Sequence, residues 1–143
     1  SLRDQATKYS TKNDYVLIDC PPSVHAPQTV SVLEFTDIAL IPVQPSPVDL
    51  WATVHIEKAI NEAREVNPAM KALLVINQLE TRTTLSKLVR EVLNEIALPV
   101  AETAIRRRAI YRNSALEGKS VFNVGKRGAD AVDELESLIK EVI

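Results

Sequence analysis

The sequence predicts an α/β fold, a parallel sheet flanked by helices. Three observations predict it. Short runs that are apolar at every position recur at residues 15–18, 38–43 and 72–76, with a briefer one at 99–100. Apolar residues at every position, not at alternate ones, argue burial on both faces, as in a parallel sheet covered by helices. Between these runs lie stretches with apolar residues at helical spacing, so strands and helices alternate. Third, the first run ends on a carboxylate, Asp19, at the edge where open α/β sheets place their ligands. Right-handed crossovers are expected.

Residues 1–10 are polar, with Leu2 and Ala6 spaced i, i+4, the pattern of a helix tail. A turn at 11–14 leads into the run 15–18, read as a buried strand. Pro21 and Pro22 stop it, because neither can donate to a ladder. A loop at 21–27 precedes a short helix at 28–35, with Val32 and Phe35 on one side. The second strand, 38–43, ends in the rigid loop Gln44-Pro45-Ser46-Pro47. Pro47 disfavours helix at Ser46, so Asp49 is the expected N-cap of a long helix over 50–66. Trp51, Val54, Ala59 and Ile60 are its candidate buried stripe.

Asn67-Pro68 ends that helix. The third strand is 72–76, followed by Asn77 and a polar loop. In the helix 84–96, Leu85, Leu88, Val89, Val92, Leu93 and Ile96 recur at strict helical spacing. Pro99 and Val100 begin a fourth strand. A short helix at 111–117 is expected to end on Gly118 as a left-handed cap. The terminal helix, 129–143, carries Val132, Leu135, Leu138, Ile139 and Ile143 at helical spacing and should pack on the sheet. The 143 residues read as a single α/β domain.

Aromatic residues are only 4% of the chain, so the core must be built from Val, Leu, Ile and Ala. A net charge of −2 gives no overall attraction to nucleic acid. The distribution is less even. Between residues 101 and 128 seven basic residues (Arg106, Arg107, Arg108, Arg112, Lys119, Lys126, Arg127) face two acids (Glu102, Glu117), a local excess of +5. The lone Cys20 excludes an internal disulfide and fits a reducing cytoplasm. Cys20 and His25 are read as a buried small residue and a solvent-facing loop residue, not as a catalytic pair. No apolar run approaches the roughly 18 residues of a membrane span. The acids Asp130, Asp133, Glu134, Glu136 and Glu141 outnumber Lys140 in the last helix, unlike a basic membrane-surface helix.

Three stretches carry a resemblance to a known family. Val16-Leu17-Ile18-Asp19-Cys20-Pro21-Pro22-Ser23 resembles the Walker B segment of the ParA/MinD deviant-Walker ATPases. Ala39-Leu40-Ile41-Pro42-Val43-Gln44-Pro45-Ser46 resembles the family's next strand and its turn. Glu102-Thr103-Ala104-Ile105 through Gly118-Lys119 resembles its late segment. The three fall in the family's order, from about Tyr15 onward, and are closest to ParA-type plasmid and chromosome partition proteins. The fold so implied is P-loop NTPase-like. The family's phosphate-binding loop precedes the Walker B strand and is not among these residues, whose three glycines (Gly118, Gly125, Gly128) make no such motif. The expectation is the C-terminal part of a larger ATPase, inactive in ATP hydrolysis by itself.

What the resemblance implies is specific. Asp19 would hold Mg²⁺, through water, beside the phosphates of ATP. Pro22 would belong to a switch loop sensing the γ-phosphate, although Ser23-Val24-His25 lacks the glycine common there. Asn77 would read the adenine ring, since an amide offers both a donor and an acceptor. The plainer reading of Asn77, tolerance of the turn after a strand, stays open. Arg106, Arg107, Arg108 and Arg112 sit where the family's ATP-bound homodimer meets non-specific DNA. Arg107 and Arg112 lead, and Arg106 replaces the family's usual proline. Trp51 would be either a dimer anchor or a core residue. A ParB-type partner would stimulate hydrolysis, and the protein would be cytoplasmic and nucleoid-associated. Two other readings remain: a non-catalytic module of the same fold, or another superfamily member such as a MinD-like regulator or a cobyrinic-acid-type synthase.

Overall fold

The computed structural model describes all residues, 1–143. Six helices and two strands follow in the order α1 (Leu2–Ser10), α2 (Pro27–Leu33), β1 (Ile38–Val43), α3 (Pro47–Val66), β2 (Lys71–Ile76), α4 (Thr84–Asn94), α5 (Ala109–Leu116) and α6 (Ala129–Val142). β1 and β2 pair in a small sheet. Its register is parallel: Lys71 N–H donates to Asp37 C=O (2.9 Å), and six residues further along both strands Asn77 N–H donates to Val43 C=O (2.8 Å). The α/β class holds, with the sheet flanked by helices.

The fourth expected strand is a segment joined by two isolated bridges, one to β2 and one to the loop that follows it. Leu74 pairs with Val100, and Leu79 with Arg106, both parallel. The intervening backbone still uses β2, with Ala101 N–H on Leu74 C=O (2.8 Å) and Ile105 N–H on Ile76 C=O (2.9 Å).

The first expected strand does not form. Residues 15–18 run without regular structure and make no backbone-to-backbone hydrogen bond. Leu17 is 92% exposed and Tyr15 67%. The reason is pairing. An extended run becomes a strand only when a neighbour satisfies its N–H and C=O groups, and none does so here.

The chain gathers into two compact units. One comprises Ser1–Ala39 and Ala52–Ala72. In it α1 opens on a capping box, Ser1 with Asp4 three residues on, and buries no residue. Val32, Leu33, Ala59, Ile60, Met70 and Ala72 are its buried apolar side chains. Asn67, just past α3, turns its amide on the carbonyls of Leu33 (3.0 Å) and Thr36 (2.8 Å), which would otherwise be open at the end of α2.

The other unit comprises Leu40–Trp51 and Leu73–Ile143. Its core joins Val75, Ala101 and Ile105, with Leu73, Tyr111, Leu135 and Leu138 packed against them. α6 therefore packs on the sheet as its spacing predicts, but Ile139 and Ile143 stay exposed. In α4, Val89 and Leu93 are fully buried, while Leu88 and Val92 lie at the exposed margin of the stripe. Gly118 has the expected left-handed φ of +67°. Lys119 N–H on Ser114 C=O (2.9 Å) and Gly118 N–H on Ala115 C=O (3.0 Å) complete the Schellman cap.

α3 begins three residues before its expected start. Ser46, not Asp49, is the cap: its hydroxyl accepts from Asp49 N–H (3.1 Å) and donates to the Asp49 carboxylate (2.9 Å). Pro47 opens the helix, the one place where its missing N–H costs nothing. The expected buried stripe is half right. Ala59 and Ile60 are buried, but Val54 is exposed and Trp51 is 80% exposed, so Trp51 is not a core residue.

Candidate functional site

The site grows from the carboxyl end of β2. Asn77 continues the ladder through its N–H, and its side-chain oxygen accepts from Gln78 N–H (3.0 Å). That contact holds Gln78 at a φ of +54°, a conformation side chains seldom adopt. The chain then turns back. Leu79 N–H reaches Ile105 C=O (3.0 Å) and Arg107 N–H reaches Leu79 C=O (3.0 Å), which seats the loop after β2 beside the arginine segment.

Together they border an open cleft of about 920 Å³. Its apolar wall is Leu40, Val75, Ile105, Leu135 and Leu138. Its polar rim includes Asn77, Gln78, Glu80 and the arginines 106, 107, 108 and 112. Tyr111 also lines it, with a buried hydroxyl that has no hydrogen-bond partner. Burial, then the nearby Glu134 carboxylate, pushes the Tyr111 phenol up, so it stays a neutral donor at ordinary pH. The amide nitrogen of Asn77 makes no hydrogen bond within the chain, and its oxygen keeps a second lone pair.

Expected site residues thus divide. The structure brings Asn77, Arg106, Arg107, Arg108 and Arg112 to one cleft. Asp19 and Pro22 lie in the other unit as exposed loop residues. The Asp19 carboxylate makes no hydrogen bond or ion pair, and no three acidic, histidine or cysteine side chains gather into a metal-binding group. His25 is exposed and half-buried Cys20 has only the Ile18 carbonyl near its thiol, so neither has a partner for catalysis.

The chain has a well-defined likeness to curated proteins. Over 131 residues, 92% of its length, it is 44% identical to "Maintenance of carboxysome distribution protein A" of Halothiobacillus neapolitanus. The chain is a homologue of ParA-type proteins. The "ParA family protein" of Mycoplasma pneumoniae is 31% identical over 72 residues, half of this chain and 26% of that one. The "Sporulation initiation inhibitor protein Soj" of Bacillus subtilis is 28% identical over 130 residues, covering 85% of this chain and 50% of its own. The chain spans 61% of the length of the Halothiobacillus relative. No family model matches it.

In this ParA homologue the local +5 of the arginine region is largely answered from outside its window. Arg108 forms a forked pair with Glu134, Nη2 at 2.6 Å and Nε at 3.3 Å, with Asp130 3.7 Å away. The Glu134 hydrogen bond, against burial, raises the Arg108 guanidinium further above its ordinary range. Arg106 Nε lies 3.6 Å from Glu134, and Arg107 pairs with Glu80. Lys119 and Arg127 both pair with Glu117. Arg112 makes no ion pair and is exposed. Sequence reading missed Gln78, Glu80, Tyr111 and Glu134. A signal for the last existed: Glu134 and Glu141 stand seven apart, two turns along one face of α6.

Proposed function

We propose that this chain is the C-terminal portion of a ParA-type positioning ATPase, one that uses ATP and Mg²⁺ and acts as a homodimer on non-specific DNA. Homology to ParA-type proteins carries the reading. The named role of the Halothiobacillus relative is distribution of carboxysomes, so the cargo class extends from plasmids and chromosomes to large particles. A ParB-type partner that stimulates hydrolysis, and a cytoplasmic site at the nucleoid, complete the proposal. No helix is long and apolar enough to cross a membrane.

Three features support the nucleotide assignment. The free amide nitrogen of Asn77 and the open lone pair of its oxygen suit the edge of an adenine ring. The unpartnered, exposed Asp19 carboxylate suits a metal held through water, with phosphates and waters as the other ligands. Asp19 would hold Mg²⁺ there, and the ion would supply charge neutralisation at the phosphates. Pro22 follows Asp19 in an exposed loop, the place expected of a switch. For DNA, Arg112 is the side chain most ready for a phosphate, because it has no acid to give up. Arg107 shares its guanidinium with Glu80 at a half-exposed position, where exchange for a phosphate costs little. Arg106 is shared with Glu134, and Arg108 is bound more firmly to the same acid.

The test uses the whole protein. ATP turnover should fall to background in Asp19→Asn. ATP-dependent binding to a random-sequence duplex should be lost in the double variant Arg107→Ala with Arg112→Ala. Binding that does not weaken with salt would exclude phosphate contact and sink the DNA assignment.

A further inference from the structure

The arginine segment is fastened from three directions. From β2, Leu74 and Ile76 accept the amides of Ala101 and Ile105. From α4, Arg90 donates to the carbonyls of Ala101 (3.2 Å) and Glu102 (2.8 Å). From α6 come two carboxylates. Glu141 accepts the consecutive amides of Glu102 (2.6 Å) and Thr103 (2.9 Å). Glu134 accepts the amide of Arg106 (3.2 Å) and grips the Arg108 guanidinium. The amides that face away from β2 are therefore met by α6, and each of these bonds is strengthened by the negative charge of its acceptor.

We infer that Glu134 and Glu141 are positioning residues for the anion-binding arginines. They hold residues 102–108 in one register, so that Arg107 and Arg112 are presented together. Arg108 acts as a strut to α6, not as a phosphate contact. This rests on the reading of the segment as a DNA contact. The physical case is pre-organisation. A phosphate contact made by a side chain on a fixed backbone loses less entropy on binding than one made from a loose loop. Glu134 is mostly buried and spends both oxygens on this segment. Glu141 touches no arginine of the segment, so its removal loosens the backbone without freeing Arg106, Arg107, Arg108 or Arg112 from an ion pair.

Glu141→Ala in the whole protein is the deciding variant, with Glu141→Gln beside it because a side-chain amide keeps one acceptor oxygen. Two quantities are read at a temperature where circular dichroism shows both variants folded. One is hydrogen exchange at the amides of Glu102 and Thr103. The other is the slope of log affinity against log salt for a random-sequence duplex. In Glu141→Ala, exchange at both amides should quicken and the slope should become shallower by about one, the loss of one phosphate contact. Glu141→Gln should fall between it and the parent. Faster exchange with an unchanged slope would make the clamp purely structural and overturn the inference, while the DNA reading would stand if Arg107→Ala with Arg112→Ala flattens the slope. If that double variant leaves the slope alone, the DNA reading and the inference fall together.

Discussion

Residues 15–18 and 72–76 read alike in sequence, and the structure treats them in opposite ways. Both runs are wholly apolar, and each is followed by a polar residue with an expected role in nucleotide binding, Asp19 and Asn77. In the second run Leu74 and Ile76 are fully buried, and the backbone is bonded to β1 on one side and to residues 99–105 on the other. In the first, Leu17 is almost wholly in solvent and no backbone group is paired with another. An apolar run states what a segment can bury, and only a neighbouring ladder decides whether it does. The same contrast governs the two polar residues: Asn77 is aimed by the turn that follows it, whereas Asp19 is aimed by nothing in the chain.

The most demanding way to break this comparison is a pair of truncations. Leu74→Ala should cost about 2–5 kcal/mol, because it empties a site with no exposure. Leu17→Ala should stay within about 0.5 kcal/mol, as for an exposed side chain away from packing. Urea unfolding of the chain measures both. A large loss in Leu17→Ala would show that residues 15–18 are buried in solution and that the strand reading is right.

Packing around α6 is sharpened by a smaller change. Gly128, which precedes α6, is buried so closely against the backbone that an added Cβ would lie 2.2 Å from the Val121 carbonyl oxygen. Gly128→Ala must push backbone aside, a cost of about 1–3 kcal/mol by the same measurement. A neutral result would mean that the Val121–Asn123 turn yields freely.

These contrasts mark what the sequence could carry. The strand β1 was legible to the residue, and the amphipathic spacing placed α4 and α6, because burial of a stripe is written locally. Gly118 was legible as a cap because only a residue without a Cβ takes that φ freely. The start of α3 was misread because Pro47 can either end an extended loop or open a helix, and the choice rests with Ser46. Trp51 was misplaced because a helix stripe fixes spacing, not the face that meets the core. The arginine region looked free because Glu80, Asp130 and Glu134, the acids that answer it, lie outside its window and meet it only once the chain has turned back.

The smallest expected effect compares the loose run with the clamped one through pH. Hydrogen bonding from Thr103, its hydroxyl first and then its backbone N–H together with that of Glu102, holds the Glu141 carboxyl below its ordinary value, while burial pulls the other way. A carboxyl lowered in the folded chain binds its proton less readily there than when unfolded. Its contribution is therefore full above the ordinary carboxylate range and is lost as pH falls through that range to the lowered value. Because Glu141 is largely in solvent, the contribution should be below about 1 kcal/mol. Glu141→Gln should accordingly be slightly less stable than the parent at pH 7, and the gap should close on acidification. Residues 15–18 have no such acceptor, so amide exchange at Val16 and Leu17 should follow only the intrinsic pH dependence of a free chain, while that at Thr103 should rise above its own as Glu141 takes up its proton. A gap between Glu141→Gln and the parent that stays constant down to the acid limit would mean that the carboxylate, as a charge, does not hold the arginine segment.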